Sequence, residues 1–165
     1  MKIKKSFTLI ELMVVIAIIS VLASMLAFKF FNSIEKGRIS ELMRDYREIK
    51  TAALSYYADT SNWPANNNAS VSLVQNDMVS GWHGPYLDSW PHHNPWNGNY
   101  NWFNDTAGVV AGAGISERYL GVNNIPSGSA SSIDKNLDDG NITTGFIRYS
   151  AANSILNASI SDDSQ

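Results

Sequence analysis

Glu11 is the one charged side chain in a run of about 22 residues, Phe7 to Phe28, otherwise built from Leu, Ile, Val, Ala, Met, Phe, Ser and Thr. A run of that length can cross a bilayer as a helix, and a carboxylate near its outer edge is costly there without a partner. That partner is expected in another chain. A second concentration of chemistry is Asp134, Asn136, Asp138, Asp139 and Asn141, with Gly140 among them. Alternating oxygen side chains of this kind either wrap Ca²⁺ or form a solvated turn. An EF-hand loop would need Gly where Asp139 stands, so that motif is excluded. His83, His92 and His93 lack helical or zinc-finger spacing, and with no cysteine in the chain no thiolate can assist them. Asp88 near His92 reads as a loop neighbour, and no nucleophile–base–acid arrangement stands out. The chain is therefore not expected to be an enzyme.

Charge is distributed unevenly. Residues 1–6 hold Lys2, Lys4 and Lys5 and no acid. From Ala58 onward three bases, Arg118, Lys135 and Arg148, stand against ten acids, a formal net charge of −7. Nucleic-acid binding rests on concentrated Lys and Arg, so such a partner is not expected for that part.

The elements that must position these groups fall into zones. Residues 1–6 form a basic leader, and 7–28 a membrane-spanning or filament-core helix. Residues 29–60 continue as the amphipathic half of the same helix, and 61–165 form a globular head rich in Asn, Gly, Ser and aromatics. The apolar run is too long for the core of a secretory signal, and no small-residue cleavage site follows it. By the positive-inside rule the three lysines stay cytoplasmic and the head faces outward, a single pass through a membrane.

No proline interrupts Phe7 to Ala58. Ile39, Leu42, Met43, Tyr46, Ile49, Ala53 and Tyr56 recur at three- and four-residue steps, one face of a helix. Charged residues lie between them. Arg44 is spaced for surface pairs with Glu41 and Glu48. Gly37 weakens the helix by about 1 kcal/mol relative to Ala. Asn62-Trp63-Pro64-Ala65 ends it, because Pro64 disfavours helix at the preceding residue. Beyond that point, Val71–Val74 is a helical turn or a strand. Gly145-Phe146-Ile147-Arg148-Tyr149-Ser150 reads as a strand, and Asn97-Gly98 as a turn of the hairpin kind. The expected fold class is α+β, a long helix packed on a small antiparallel sheet. All five tryptophans fall between Trp63 and Trp102. They read first as core and sheet cover, and second as a carbohydrate-stacking surface.

Lys4-Lys5-Ser6-Phe7-Thr8-Leu9-Ile10-Glu11-Leu12 resembles the class III signal of type IV pilins and type II secretion pseudopilins. The resemblance implies a pilin-like fold, cleavage between Ser6 and Phe7 by a prepilin peptidase, N-methylation at Phe7, and an assembly role for Glu11. The family nearly always has Gly before the cut, where this chain has the small Ser6. Leu54-Ser55-Tyr56-Tyr57-Ala58-Asp59-Thr60-Ser61-Asn62-Trp63-Pro64 looks like the helix exit of pseudopilins. Gly84-Pro85-Tyr86-Leu87, Pro91 and Asn94-Pro95-Trp96-Asn97-Gly98-Asn99-Tyr100 resemble the major pseudopilin pattern. Here Asn94 replaces an Asp, Gly and Asn are exchanged, and Asn99 replaces a Pro. Asp138–Gly145 also resembles a segment of some pilin-like proteins. Major pseudopilins carry a calcium-stabilised C-terminal loop, so Ca²⁺ is the one cofactor implied.

On this resemblance the chain is expected to be a pseudopilin forming a periplasmic secretion fibre. Its partners would be the peptidase, copies of itself, other pilins and an inner-membrane assembly platform. A surface pilin for adhesion or motility is the near alternative. An enzyme tethered by a single helix is the alternative from another class.

Overall fold

From Leu9 to Thr60 the backbone forms one 52-residue helix, α1, as the absence of proline and the apolar periodicity predict. The computed structural model of the chain describes residues 7–66, 69–105 and 117–162. The basic leader, Ser6 included, lies outside the described residues. The chain divides into two compact units, Met1–Gly37 and Arg38–Gln165.

In the first unit, α1 is long and apolar enough to cross a membrane. Its apolar side chains, from Leu9 to Met25, are exposed. A helix can span hydrocarbon only if its polar groups are satisfied internally. The serines meet that condition: Ser20 Oγ donates to Ile16 O at 2.7 Å and Ser24 Oγ to Val21 O at 2.7 Å.

In the second unit, α1 buries Ile39, Leu42, Tyr46, Ile49, Ala52, Ala53 and Tyr56. The spacing of these positions is the helical period seen in the sequence, extended by Ala52. The short α2 (Ala69–Ser72) follows, then β1 (Tyr100–Asp105), β2 (Glu117–Val122), α3 (Ser127–Leu137), β3 (Ile147–Ser150) and β4 (Ile155–Asp162). The four strands form one antiparallel sheet in the order β1-β2-β4-β3. Trp102 of β1, Leu120 and Val122 of β2, Ile147 of β3, and Leu156, Ala158 and Ile160 of β4 join the helix face in one apolar core. A register shift between Arg118 and Tyr119 interrupts the β2–β4 ladder. The fold class is α+β.

Of two open readings one is selected, and two local expectations change. The Val71–Val74 segment is helical at its start, because α2 lays Ala69 and Ser72 inward ahead of buried Leu73. Asn97-Gly98 makes a turn but joins no two strands. Asn97 sits at φ 60°, and Asn94 Oδ1 accepts the N–H groups of Trp96 at 2.8 Å and Gly98 at 3.1 Å. Asn94 Nδ2 then donates to Asn123 O at 2.7 Å, which ties this loop to the end of β2. Arg44 pairs with its neighbour Asp45 at 2.9 Å rather than across a helical turn. Asp45 is itself buried. The tryptophans serve the core: Trp96 and Trp102 are buried and Trp63, Trp82 and Trp90 pack against it.

Candidate functional site

The start of α1 is built by a capping box. Thr8 precedes the first helical residue, and Glu11 stands three places on. The Thr8 N–H donates to Glu11 Oε2 at 2.8 Å and the Thr8 hydroxyl to the same oxygen at 2.7 Å. In return the Glu11 N–H donates to Thr8 Oγ1 at 3.3 Å. Backbone donors left over by the first turn are thus satisfied. Within the chain Oε2 is engaged by Thr8, an uncharged partner. Oε1 has no hydrogen-bond partner among the described residues. Phe7, one residue ahead of the box, is 76% exposed. The cap therefore fixes the carboxylate at the very start of the helix, beside the expected processing point, with one oxygen open.

The second site lies where α3 gives way to the loop before β3. Carboxylate oxygens of Asp134, Asp138 and Asp139 all fall within 4.8 Å of one another. Asp134 reaches inward from the last turns of α3, which buries Ala130 and Ile133 on the same face. It is 0% exposed, and neither carboxylate oxygen has a hydrogen-bond partner among the described residues. Burial first, then Asp138 and Asp139, hold its pKa above the ordinary 3.8, while the nearby Gly140 N–H acts in the opposite sense. Asp138 Oδ2 accepts the Ile147 N–H at 2.9 Å and so connects the cluster to β3. Asp139 Oδ1 accepts the Asn141 N–H at 2.8 Å. Gly140, at φ 86°, supplies the left-handed backbone that the loop needs between them.

Of the five expected oxygen donors, the structure thus gathers the three aspartates. Asn136 turns its amide to Ser132 O at 2.7 Å on the exposed side of α3. The Asn141 side-chain oxygen accepts from the Thr143 hydroxyl at 2.8 Å. An unpaired buried carboxylate beside two others is unstable by repulsion and desolvation. A hard cation with oxygen preference relieves both, so the residues present fit Ca²⁺.

Two further polar constellations were not legible in the sequence. Tyr100 OH donates to Asp45 Oδ2 at 2.7 Å. Glu117 at the start of β2 pairs with Arg148 of β3, with both side chains largely buried. The signal that could have found the first is an Asp on the apolar side of α1, one position before Tyr46.

Residues 33–125 match the family model described as PilW, C-terminal. Residues 1–27 match the prokaryotic N-terminal methylation motif. The type IV major pilin protein PilE1 of Neisseria gonorrhoeae is 35% identical over 86 residues, 52% of this chain and 38% of that protein. The type II secretion system core protein G of Escherichia coli (strain K12) is 35% identical over 72 residues, 44% of this chain and 50% of that protein. The solved structure of the major type IV pilin PilA1 from Clostridium difficile covers 78% of this chain and 97% of that one, with a TM-score of 0.48 at 19% identity. The chain spans half or less of the length of the curated relatives it matches. With the methylation motif at its start and the matching model over more than half its length, the chain belongs to the PilW, C-terminal family of type IV pilin-like proteins.

Proposed function

We propose that the chain is a structural subunit of a type IV pilus-like filament. The apolar part of α1 holds the precursor in the membrane. A prepilin peptidase cuts between Ser6 and Phe7 and methylates the new amine. The subunits then polymerise with copies of themselves and other pilins on an inner-membrane platform.

The observation that carries this reading is the start of α1. A carboxylate with one open oxygen stands at the edge of an apolar helix with no cover of its own. Cleavage at Phe7 creates a cation beside that helix. In a stack of parallel helices offset along an axis, the amine of one copy can neutralise Glu11 of another. An unpaired charge in such a core would cost several kcal/mol. Each contact joins unlike patches, so the assembly does not close and grows as a helical fibre.

Within this class the Gly84–Tyr100 segment favours a secretion pseudopilin with a periplasmic head over a surface pilin. The acidic head does not suit a nucleic-acid partner. N-terminal sequencing of the membrane-extracted protein tests processing: methylated Phe7 is expected, and a chain starting at Met1 would overturn it. Glu11→Ala is expected to stay in the membrane and fail to polymerise. Electron microscopy of sheared surface material separates the two uses, since a secretion pseudopilin yields no long surface fibres at native expression.

A second reading concerns the head. Ca²⁺ at Asp134, Asp138 and Asp139 would neutralise the cluster and hold the end of α3 against the loop leading to β3. The buried Asp134 carboxylate, which has no hydrogen-bond partner among the described residues, favours it.

A further inference from the structure

The head carries an apolar groove of about 690 Å³ along the exposed flank of α1. Leu54, Leu137, Phe146 and Ile160 contribute its apolar wall, and Arg47 and Lys50 its rim. Leu54 is 43% exposed and Phe146 47%. Arg47 makes no ion pair among the described residues. Lys50 rests over the Tyr46 ring, 5.7 Å from its centre, which leaves its charge at the groove edge.

Another loop of the head carries an exposed apolar side chain. Met78 is 87% exposed, the most exposed large apolar side chain among the described residues of the head, and is held at φ 65°. A non-glycine residue in that region needs local support. It comes from Asn76 Oδ1, which accepts the Met78 N–H at 2.8 Å, and from Asp77 Oδ1, which accepts the Val79 N–H at 3.2 Å. The loop abuts the end of α1, where a Cβ on Gly81 would run into the backbone carbonyl of Asp59. Asp77 adjoins Met78 in the chain and accepts from the Tyr56 hydroxyl at 2.7 Å. The Asp59 backbone meets the loop at Gly81, with His83 Nδ1 3.9 Å from the Asp59 carboxylate. The last turn of α1 contains no basic residue to offset the negative end of the helix dipole.

We propose that Met78 of one copy seats in the Leu54–Phe146 groove of a second copy, with Arg47 and Lys50 facing the acidic surround of the Met78 loop. A flexible thioether suits an irregular apolar groove, and opposite charge at the rim sets the partner and orientation. Knob and groove are different patches of one head, so the contact runs head to tail and repeats from copy to copy. The inference rests on the filament-subunit reading and names the head surfaces that such a filament would join.

The chain contains no cysteine, so engineered thiols report without background. The full-length chain is expressed in membranes in three arrangements: Met78→Cys with Leu54→Cys in one chain, the two single variants co-expressed, and Ile16→Cys alone. After mild oxidation the double variant is expected to give a ladder of multimers, and the co-expressed single variants a dimer. Adding Arg47→Glu and Lys50→Glu to the double variant is expected to cut the ladder about ten-fold, since like charges then meet at the rim. Unchanged protease resistance shows that the heads remain folded. Ile16→Cys reports association through the apolar helix, independently of the heads. Dimers from Ile16→Cys with no ladder from Met78 and Leu54 would overturn the docking surface and leave the filament reading standing. No multimers from either probe would overturn both. A Leu54→Cys adduct with a different protein would also overturn the proposal.

Discussion

The hydroxyl of Tyr100 lies 2.7 Å from Oδ2 of Asp45, so β1 is fastened to α1 through a carboxylate buried in the apolar face of the helix. Tyr100→Phe removes the donor and leaves that carboxylate short of a partner. A loss of about 1.5–3 kcal/mol is expected, seen as a lower urea midpoint with an unchanged slope.

Alkaline pH should act through the same region. Burial, then Asp45, raises the Tyr100 hydroxyl pKa. Tyr46, which donates to Ser159 O, is pushed up to about 12, mainly by burial. A hydroxyl whose pKa is higher in the native state favours folding while it stays protonated in both states. The head should keep this stability below pH 10.0, the ordinary value, and lose it as pH rises from there towards 12. Thermal melts of the wild type and of Tyr46→Phe between pH 9 and pH 12 are expected to converge as pH rises.

Glu117 and Arg148 span two strands of the sheet with β4 between them. Glu117 Oε2 and Arg148 Nε have no hydrogen-bond partners among the described residues. Arg148→Met is expected to cost about 3–5 kcal/mol, because it strands a buried carboxylate. Adding Glu117→Leu should recover most of that loss. A double-mutant cycle by denaturant unfolding checks it.

The Asp134 cluster predicts a stability that depends on cation and pH in opposite senses. Its carboxyl pKa is raised in the folded head, so without a cation the ionised form opposes folding. That penalty is absent below about pH 3.8 and complete above the raised value. In chelator the wild type should therefore gain on Asp134→Asn as pH falls from 7 towards 4. With millimolar Ca²⁺ at pH 7 the wild type should melt higher, and the increment should fade on acidification as the carboxylates protonate. Isothermal titration and melting curves read both trends. No heat and no shift at pH 7 would end the calcium reading.

Thr8→Val removes the hydroxyl of the capping box while keeping its shape. About 1 kcal/mol of helix-start stability should be lost. Amide exchange at Leu9–Leu12 in detergent micelles is expected to quicken, with the rest of α1 unchanged.

The long helix was legible because its signals agree. Ile39, Leu42, Tyr46, Ile49, Ala53 and Tyr56 follow one period, and Trp63-Pro64 marks the exit. β3 was legible from Ile147 and Tyr149. α3 was not, because Ser127-Gly128-Ser129 has little helical preference, and burial of Ala130 and Ile133 decides its structure. β4 alternates Leu156, Ala158 and Ile160 inward, but with Asn and Ser between them the pattern is faint. At the sites, residue types pointed to Glu11 and the aspartates. The Thr8 cap and the closure of Asp134 from water depend on backbone placement, which spacing alone does not convey.

The strand order has a consequence for how the head is made. β4 comes last among the strands in sequence yet lies between β2 and β3. Neither neighbour can complete its ladder until residues 155–162 arrive. A chain emerging N-terminus first cannot close the sheet before that segment, and closure is dominated by contacts distant in sequence. The sheet therefore sets only once β4 has joined both β2 and β3.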